Sequence, residues 1–391
     1  MSERAEHAGY SLAQLATYFL KLGSVGFGGP VALAGYMYRD LVEKRGWITD
    51  DDYKQGIALA QLMPGPLAAQ LAMYLGYVHY RIAGATLAGI AFVVPSFVMV
   101  LAIGWAYVRY GGIPSMQAAF YGVGAAVIGI IAISAYKLTT KNVGNDRLLG
   151  AIYLATAAVT VWTQSESVWM FLGAGVLVWL LRAPPKDWPG GALPASLAFG
   201  PSSPSVCAVA TGCDWTLLAQ LGAFFAKAGA FVFGSGLAIV PFLYGGVVHD
   251  HQWLTERQFV DAVAVAMITP GPVVITVGFI GYLIAGLSGA VVAAFATFLP
   301  CYLFTILPAP YFKKYGKRPA LLAFVAGVTA AAIGAITGAV IVLAVRSIVD
   351  WMTAAIALVT IGLLWKFRKL PEPALVAIAA IVGLLAFPGL R

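Results

Sequence analysis

Long apolar runs separated by short polar stretches constrain the fold of this chain more than any other feature. About 20 apolar residues in a helix span the roughly 30 Å hydrocarbon core of a bilayer. Charged residues make up only 10% of the 391 residues, against about 25% in soluble domains. The sequence therefore predicts an all-α polytopic membrane protein. The clearest apolar runs are residues 82–108, 116–136, 148–162, 168–181, 320–345 and 352–365.

The chain repeats itself at a nearly constant offset. Pro64–Pro66 falls on Pro270–Pro272 at an offset of 206 residues, and the offset becomes 205 after a one-residue deletion. A constant offset across aromatic, glycine and proline positions indicates an internal duplication. The predicted repeats are residues 1–182 and 215–391, joined by a Pro/Gly/Ser-rich linker at 183–214. Further matched pairs are Phe19 with Phe225, Gly23 with Gly229, Trp47 with Trp253, Gly76 with Gly281, and Pro95 with Pro300.

Each repeat carries a Pro-Gly-Pro motif between two short helical stretches, as LMPGP in the first and ITPGP in the second. Proline lacks an N–H and clashes with the preceding turn, so each motif ends a helix. Thr49 with Asp52, and Thr255 with Gln258, have capping-box spacing and mark the helix starts. Neither short helix comfortably spans a bilayer. We therefore predict a re-entrant hairpin of half-helices in each repeat, with the motif at its tip.

A glycine-rich break interrupts the first helix of each repeat, as SVGFGGP and AFVFGSG. With four ordinary spans beside the hairpin, the simplest count is five crossings per repeat, within a range of about 10–12 spans for the chain. Basic residues cluster in loop 137–147 of the first repeat and, one span earlier, in loop 313–318 of the second. Under the positive-inside rule, equivalent loops then face opposite sides, which predicts inverted repeats.

Two explanations fit the broken helices. Glycines permit close helix packing and prolines kink membrane helices; alternatively, the breaks expose N–H groups and positive dipole ends that bind an anion. We favour the anion site because both motifs recur in register. Lys21 and Lys227 precede the breaks at equivalent positions, with snorkelling towards an interface as their alternative role. Proton pumps and cation carriers usually have carboxylates within the membrane, and the single candidate in this sequence is Asp261, within a short helix. A cation path is therefore disfavoured.

The candidate anion-binding residues combine the two glycine breaks, the two Pro-Gly-Pro motifs and nearby polar side chains. Gln70 and Thr276 are equivalent, each four residues after the second proline. We expect no catalytic residue, metal ligand or cofactor, because the sequence has no HExxH, GxSxG or Walker A motif. The substrate-binding candidates are Lys21, Ser24, Gly26, Phe27, Gly28, Gly29, Pro64, Gly65, Pro66, Gln70, Lys227, Phe233, Gly234, Ser235, Gly236, Pro270, Gly271, Pro272 and Thr276.

Several of these segments resemble the signature of the chromate ion transporter family. They are GSVGFGGP at 23–30, RGWITDDDY at 45–53 and QLMPGPLAAQLAMYLGY at 61–77, and FGSG at 233–236 and TPGP at 269–272 resemble the family's second domain. The resemblance covers nearly the whole chain outside the linker and termini and is to the long, two-domain branch. It implies an inner-membrane carrier that exports chromate and confers chromate resistance. Chromate is a tetrahedral dianion similar in shape to sulfate.

The leading hypothesis is a secondary transporter that exports chromate by alternating access, driven by the membrane potential or a proton gradient. A carrier for uptake of sulfate or another oxyanion is one alternative, and an anion channel is another. The residues themselves indicate only an anion; the resemblance supplies chromate. Expected partners are chromate, with sulfate as an alternative, and the lipid bilayer. A homodimer is compatible with the sequence, and no nucleic-acid partner is expected because the basic residues are scattered at segment ends.

Overall fold

The computed structural model describes residues 9–27, 29–110, 114–163, 168–184, 215–232, 239–315, 318–348, 350–367 and 372–386. Within these ranges the chain forms helices and no β-strand, as predicted for an all-α membrane protein. Residues 185–214 of the predicted linker lie outside the described residues. Four helical stretches of the described part are long and apolar enough to cross a membrane: Leu67–Tyr110, Ser115–Asn142, Val273–Phe312 and Pro319–Val345.

The two repeats contain corresponding helices in the same order. The first repeat has α1 (Leu12–Val25), α2 (Gly29–Met37), a π-helix π1 (Tyr38–Lys44), α3 (Asp50–Leu62), α4 (Leu67–Tyr110), α5 (Pro114–Asn142), α6 (Arg147–Thr163) and α7 (Val168–Arg182). The second has α8 (Trp215–Ala230), α9 (Ile239–Tyr244), π2 (Gly245–Asp250), α10 (Glu256–Ile268), a 3₁₀ turn (Val273–Ile275), α11 (Thr276–Ile306), α12 (Ala309–Tyr315), α13 (Pro319–Ser347), α14 (Trp351–Lys366) and α15 (Glu372–Ala386).

Threonine caps start the first helix of each Pro-Gly-Pro hairpin. Thr49 Oγ1 accepts a hydrogen bond from the backbone N–H of Asp52 at 3.1 Å. Thr255 Oγ1 accepts one from the N–H of Gln258 at 3.3 Å, and the Gln258 side chain accepts from the Thr255 N–H at 2.9 Å. These bonds satisfy N–H groups that the first helical turn leaves without intrahelical acceptors. The predicted starts of α3 and α10 are confirmed.

The long helices α4 and α11 each consist of two segments that fold back on one another. Arg81 in α4 has φ 53° and ψ −137°, and Gly286 in α11 has φ 62° and ψ −149°. Gly76 lies so close to Gly84 across the reversal that a Cβ would collide with the facing carbonyl oxygen. We call the segments α4a (67–80), α4b (82–110), α11a (276–284) and α11b (287–306). The predicted short helices after the motifs are α4a and α11a.

The glycine break in the first helix also reverses the chain, which differs from the single broken span expected from hydropathy. A straight helix over residues 12–44 would separate its ends by about 50 Å. Instead Tyr10 stacks on Trp47 with ring centroids 4.7 Å apart. In the second repeat Phe224 of α8 stacks on Phe242 of α9 at 5.5 Å. Each repeat therefore has two hairpins, one at the glycine break and one at the Pro-Gly-Pro motif, in place of the expected five spans and one hairpin.

The last two helices of each repeat pack against the other repeat. Helices α6 and α7 lie on α13, and α14 and α15 lie on α5. Glycines permit the close approach: a Cβ at Gly327 of α13 would collide with the carbonyl oxygen of Ala174 in α7, and Gly122 of α5 faces Ala379 of α15 in the same way. The two repeats are therefore interlocked.

Buried aromatic residues fill the centre, and large apolar residues also cover the outer surface. Phe19 and its equivalent Phe225 are fully buried. On the outside, Trp162 is 89%, Val345 78% and Leu385 76% exposed. Soluble monomers rarely expose large apolar patches, so this surface fits contact with lipid.

Candidate functional site

Each Pro-Gly-Pro motif forms a tight turn between two half-helices. We call Pro64–Pro66 the first tip and Pro270–Pro272 the second tip. Gly65 has φ 143° and Gly271 has φ 95°, a backbone region that residues with a Cβ rarely adopt. The flanking prolines donate no backbone hydrogen bond. Glycine and proline together therefore account for the turn.

Each tip is hydrogen-bonded to the glycine break of the opposite repeat. The Gly65 N–H donates to the carbonyl of Val232 at 2.5 Å, and the Gly271 N–H donates to the carbonyl of Gly26 at 2.9 Å. Both pairs obey the 206-residue offset, so the same bond is made twice. All four residues are buried. The two tips and the ends of α1 and α8 therefore meet at the interface between the repeats.

The helices behind the tips carry a hydroxyl in one repeat and a thiol in the other. Ser96 Oγ of α4b donates to the carbonyl of Pro270 at 2.7 Å. The equivalent residue in α11b is Cys301, whose Sγ lies 3.5 Å from the carbonyl of Gly229. Sequence reasoning missed Ser96, although its neighbour Pro95 corresponds to Pro300 in the second repeat. A serine in an apolar helix usually bonds to its own helix and so gives no local signal.

The two equivalent polar side chains after the tips stabilise their own turns. Gln70 is fully buried, and its Nε2 donates to the carbonyl of Pro64 at 2.8 Å. Its Oε1 is buried without a hydrogen-bond partner among the described residues. Thr276 is also fully buried, and its hydroxyl donates to the carbonyl of Val273 at 2.7 Å. Gln70 thus bonds to the first tip, whereas Thr276 bonds within the turn that follows the second tip, and their predicted role in anion binding stays a prediction.

The residues predicted on the first helices lie nearer the surface. Lys21 and Lys227 are exposed, and Lys227 Nζ lies 5.9 Å from the ring centroid of Phe242. Ser24 Oγ donates to its own helix at the carbonyl of Leu20, 2.8 Å away. Phe27 is 37% exposed. Among the described contacts, those that bring the two repeats together at this point involve Gly26 and the tips, not the lysines.

The rest of the predicted set belongs to the glycine breaks themselves. Gly29 is the first residue of α2. Five predicted residues lie outside the described residues: Gly28, Phe233, Gly234, Ser235 and Gly236.

The arrangement suits a small anion better than a cation. The first three N–H groups of α4a follow Pro66 and have no acceptor within their own helix. Residues 67–69 are buried, so water does not readily replace those acceptors. A helix N-terminus also carries a positive partial charge of about half an elementary charge. The second tip places the 3₁₀ turn and α11a in the equivalent position.

Comparisons with known proteins connect both repeats of the chain to one family. The family model described as "Chromate transporter" matches residues 13–179 and 219–384, one segment in each repeat. A "Chromate transport protein" of Cupriavidus metallidurans is 73% identical over 97% of this chain and 94% of its own length. A "Probable chromate transport protein" of Synechococcus elongatus is 60% identical, covering 97% and 96%.

A more distant relative also matches over nearly its full length. A "Chromate transport protein" of Pseudomonas aeruginosa is 31% identical over 97% of this chain and 93% of its own length. No solved structure matches the chain significantly. Two matched segments, long motifs and high identity over nearly the full length lead to one conclusion: the chain belongs to the chromate transporter family.

Proposed function

We propose that the chain is a secondary transporter that exports chromate across the inner membrane by alternating access. Family membership supports chromate as the substrate and a transporter in place of an enzyme. The observation that carries the proposal is the pair of buried tips, each bonded through its glycine to the other repeat. A tetrahedral oxyanion bound at the N-termini of α4a and α11a would contact both repeats at once.

Antiparallel packing of equivalent helices supports the inverted relation of the repeats. Thr86, near the start of α4b, has its Oγ1 2.6 Å from the hydroxyl of Tyr302, near the end of α11b. Gly104, near the end of α4b, packs against Tyr282, which precedes the start of α11b. Inverted repeats favour alternating access, because exchanging their conformations converts one open side into the other. The proposed repeats are residues 1–182 and 215–391.

Movement of the halves must break and remake the hydrogen bonds at the tips. A single net backbone hydrogen bond contributes about 0.5–1.5 kcal/mol, which is small enough for a transport cycle to exchange. Export of a dianion from a negative-inside cell gains about 4.6 kcal/mol per 100 mV, from about 2.3 kcal/mol per charge. The membrane potential is therefore a sufficient driving force.

Everted membrane vesicles test the function directly. Vesicles with the full-length chain should accumulate chromate when an inside-positive potential is imposed, and vesicles without the chain should not. Sulfate is added as a competitor to separate a chromate carrier from a sulfate carrier. Absence of chromate accumulation, with sulfate accumulation in its place, would overturn the assignment of the substrate. Turnover far above carrier rates, or single-channel currents, would replace the carrier with a channel.

A further inference from the structure

A buried carboxylate lies between the repeats, away from the tips. Asp261 of α10 is only 4% exposed. The hydroxyl of Tyr107, on α4b of the other repeat, donates to its Oδ2 at 2.7 Å. An intramembrane carboxylate is costly and commonly marks an ion or proton path. One phenolic donor leaves most of the acceptor capacity of the carboxylate free.

The carboxylate lines a polar cavity that opens to the surface. The cavity has a volume of about 190 Å³ and is lined by Tyr107, Gln117, Phe120, Arg257 and Asp261. Arg257 is exposed, whereas Asp261, one turn later in α10, is buried. The cavity therefore extends from the surface to the buried carboxylate. One water molecule needs only about 10–15 Å³ of such volume. Several waters therefore fit between the surface and the carboxylate.

Few charged or titratable groups face Asp261. Tyr107 approaches from α4b and Arg257 from the same helix, one turn earlier, but no described ion pair within 4.0 Å joins Arg257 to Asp261. Helix α5 contributes the uncharged Gln117, and its Tyr121 donates to Asp350 instead. Residues 273–306, which also pack on α10, contain no Asp, Glu, Lys, Arg or His, and in α15, which packs there too, such a residue occurs only at the first position, Glu372.

The second repeat has this site and the first does not. At the repeat offsets, Asp261 corresponds to Gln55 and Tyr107 corresponds to Phe312. Both members of the bonded pair are therefore replaced at the equivalent interface by residues that do not titrate. The equivalent helices pack at that interface without a carboxylate. Packing alone therefore does not explain why residue 261 is an aspartate.

Asp261 is mechanically connected to the second tip. Helix α10 continues from Asp261 to Ile268 and is capped by Thr269, the residue before the second tip. Helix α4b bonds to this segment at two places, through Tyr107 to Asp261 and through Ser96 to the carbonyl of Pro270. A hydrogen bond to an ionised carboxylate is about twice as strong as one between neutral groups. Protonation of Asp261 therefore weakens one of the two hydrogen bonds that hold α10 and the second tip to α4b.

We propose that Asp261 takes up a proton through this cavity, and that its protonation loosens α10 from α4b and couples proton movement to motion of the second tip. The step is a simple protonation, –COO⁻ plus H⁺ giving –COOH, with the proton drawn from water in the cavity. The coupling rests on the proposed function as a chromate carrier. The proton site itself does not, because the carboxylate can titrate in the absence of chromate.

The first test measures the proton site without transport. Infrared difference spectra of the full-length protein in lipid vesicles are recorded between about pH 5 and about pH 8. We expect a protonated-carboxyl band from a buried group that Asp261→Asn removes and Asp51→Asn retains. Asp51 is an exposed carboxylate in the first turn of α3 and is the matched control. A pH-dependent band unchanged in Asp261→Asn would overturn the proposal.

The second test measures coupling in vesicles that contain the purified chain and a pH-sensitive dye. We expect chromate-driven proton flux in the wild type and in Asp51→Asn, and its loss in Asp261→Asn with chromate exchange retained. Tyr107→Phe removes a donor to the ionised carboxylate, so the midpoint of its pH–rate profile should move to higher pH. Asp261→Glu should restore part of the proton flux.

The outcomes separate the two proposals. Normal proton flux in Asp261→Asn, or an unshifted pH profile in Tyr107→Phe, would overturn the role of Asp261. Absence of chromate movement by the wild-type chain would instead reject the proposed function, and the infrared band would still decide whether Asp261 binds a proton.

Discussion

At the scale of single residues, the tips depend on glycines that no other residue replaces without strain. Gly271 combines φ 95° with a position where a Cβ would lie 2.0 Å from the hydroxyl of Ser96. Gly65 combines φ 143° with a position where a Cβ would lie 2.5 Å from the Gln70 amide nitrogen. Positive φ with a side chain costs about 1–3 kcal/mol. The tip glycines were predictable from sequence, whereas the hydroxyl that limits one of them was not.

Replacing Gly271 with Val should abolish chromate transport. The side chain meets both the unfavourable φ and the Ser96 hydroxyl, so the second tip cannot keep its bond to Gly26. Chromate accumulation in vesicles, normalised to protein in the membrane, measures the effect. Gly173→Ala is the control, because that helical glycine has open space around a Cβ. Normal flux in Gly271→Val would make the motif a packing feature only.

The paired lysines should act through charge and not through direct contact with the tips. Lys21→Ala and Lys227→Ala should each lower chromate resistance and raise KM for chromate by about tenfold at low salt, with a smaller effect at high salt. Lys54→Ala, another exposed lysine, should be close to wild type. Wild-type resistance in both variants, with equal protein in the membrane, would leave the lysines with an interfacial role.

At the scale of elements, local signals predicted the hairpins that carry caps and prolines but not the reversal at the glycine break. Thr49 and Thr255 marked α3 and α10 because a cap is read from four neighbouring residues. The break before Arg81 was predicted, because a short helix was expected after the first motif and the next apolar run begins at residue 82. The positive φ of Arg81 was not, since arginine seldom adopts it and only its equivalent, Gly286, is suited to it. The hydropathy pattern likewise does not distinguish a bent helix from a chain reversal at the glycine break, because the residues on both sides are equally apolar in either case.

Close helix packing at the first hairpins should make Gly23 intolerant of any side chain. A Cβ at Gly23 of α1 would collide with the backbone carbonyl of Phe92 in α4b, and its equivalent Gly229 faces Thr297 in the same way. Gly23→Ala should therefore destabilise the protein by about 1–3 kcal/mol. Thermal unfolding of the detergent-solubilised chain measures the change, with Gly150→Ala as the control because its Cβ meets open space. An unchanged midpoint would contradict the packing.

At the scale of the whole molecule, the duplication was predictable but the interlocking of its halves was not. A constant offset is a property of the sequence alone. The packing of α6 and α7 on α13 depends on contacts between residues more than 150 positions apart, such as Gly327 with Ala174, which no local pattern reports.

Equivalent loop positions should react from opposite sides of the membrane. Lys44 at the end of π1 and Asp250 at the end of π2 are equivalent and exposed. In a cysteine-free background, Lys44→Cys and Asp250→Cys should be labelled by an impermeant thiol reagent from different sides of intact and everted vesicles. Labelling of both from the same side would reject the inverted relation of the repeats.

The crossed bonds at the tips bear on how such a molecule arises. Gly65 reaches Val232 and Gly271 reaches Gly26, so neither repeat completes its own tip. A chain carrying a single repeat could reproduce this centre only as a pair of subunits, which under the proposed inverted relation would be inserted in the membrane in opposite orientations. Fusion of two such copies fixes their stoichiometry at one to one. It also frees each copy to diverge, as the unmatched pair Tyr107 and Asp261 already has.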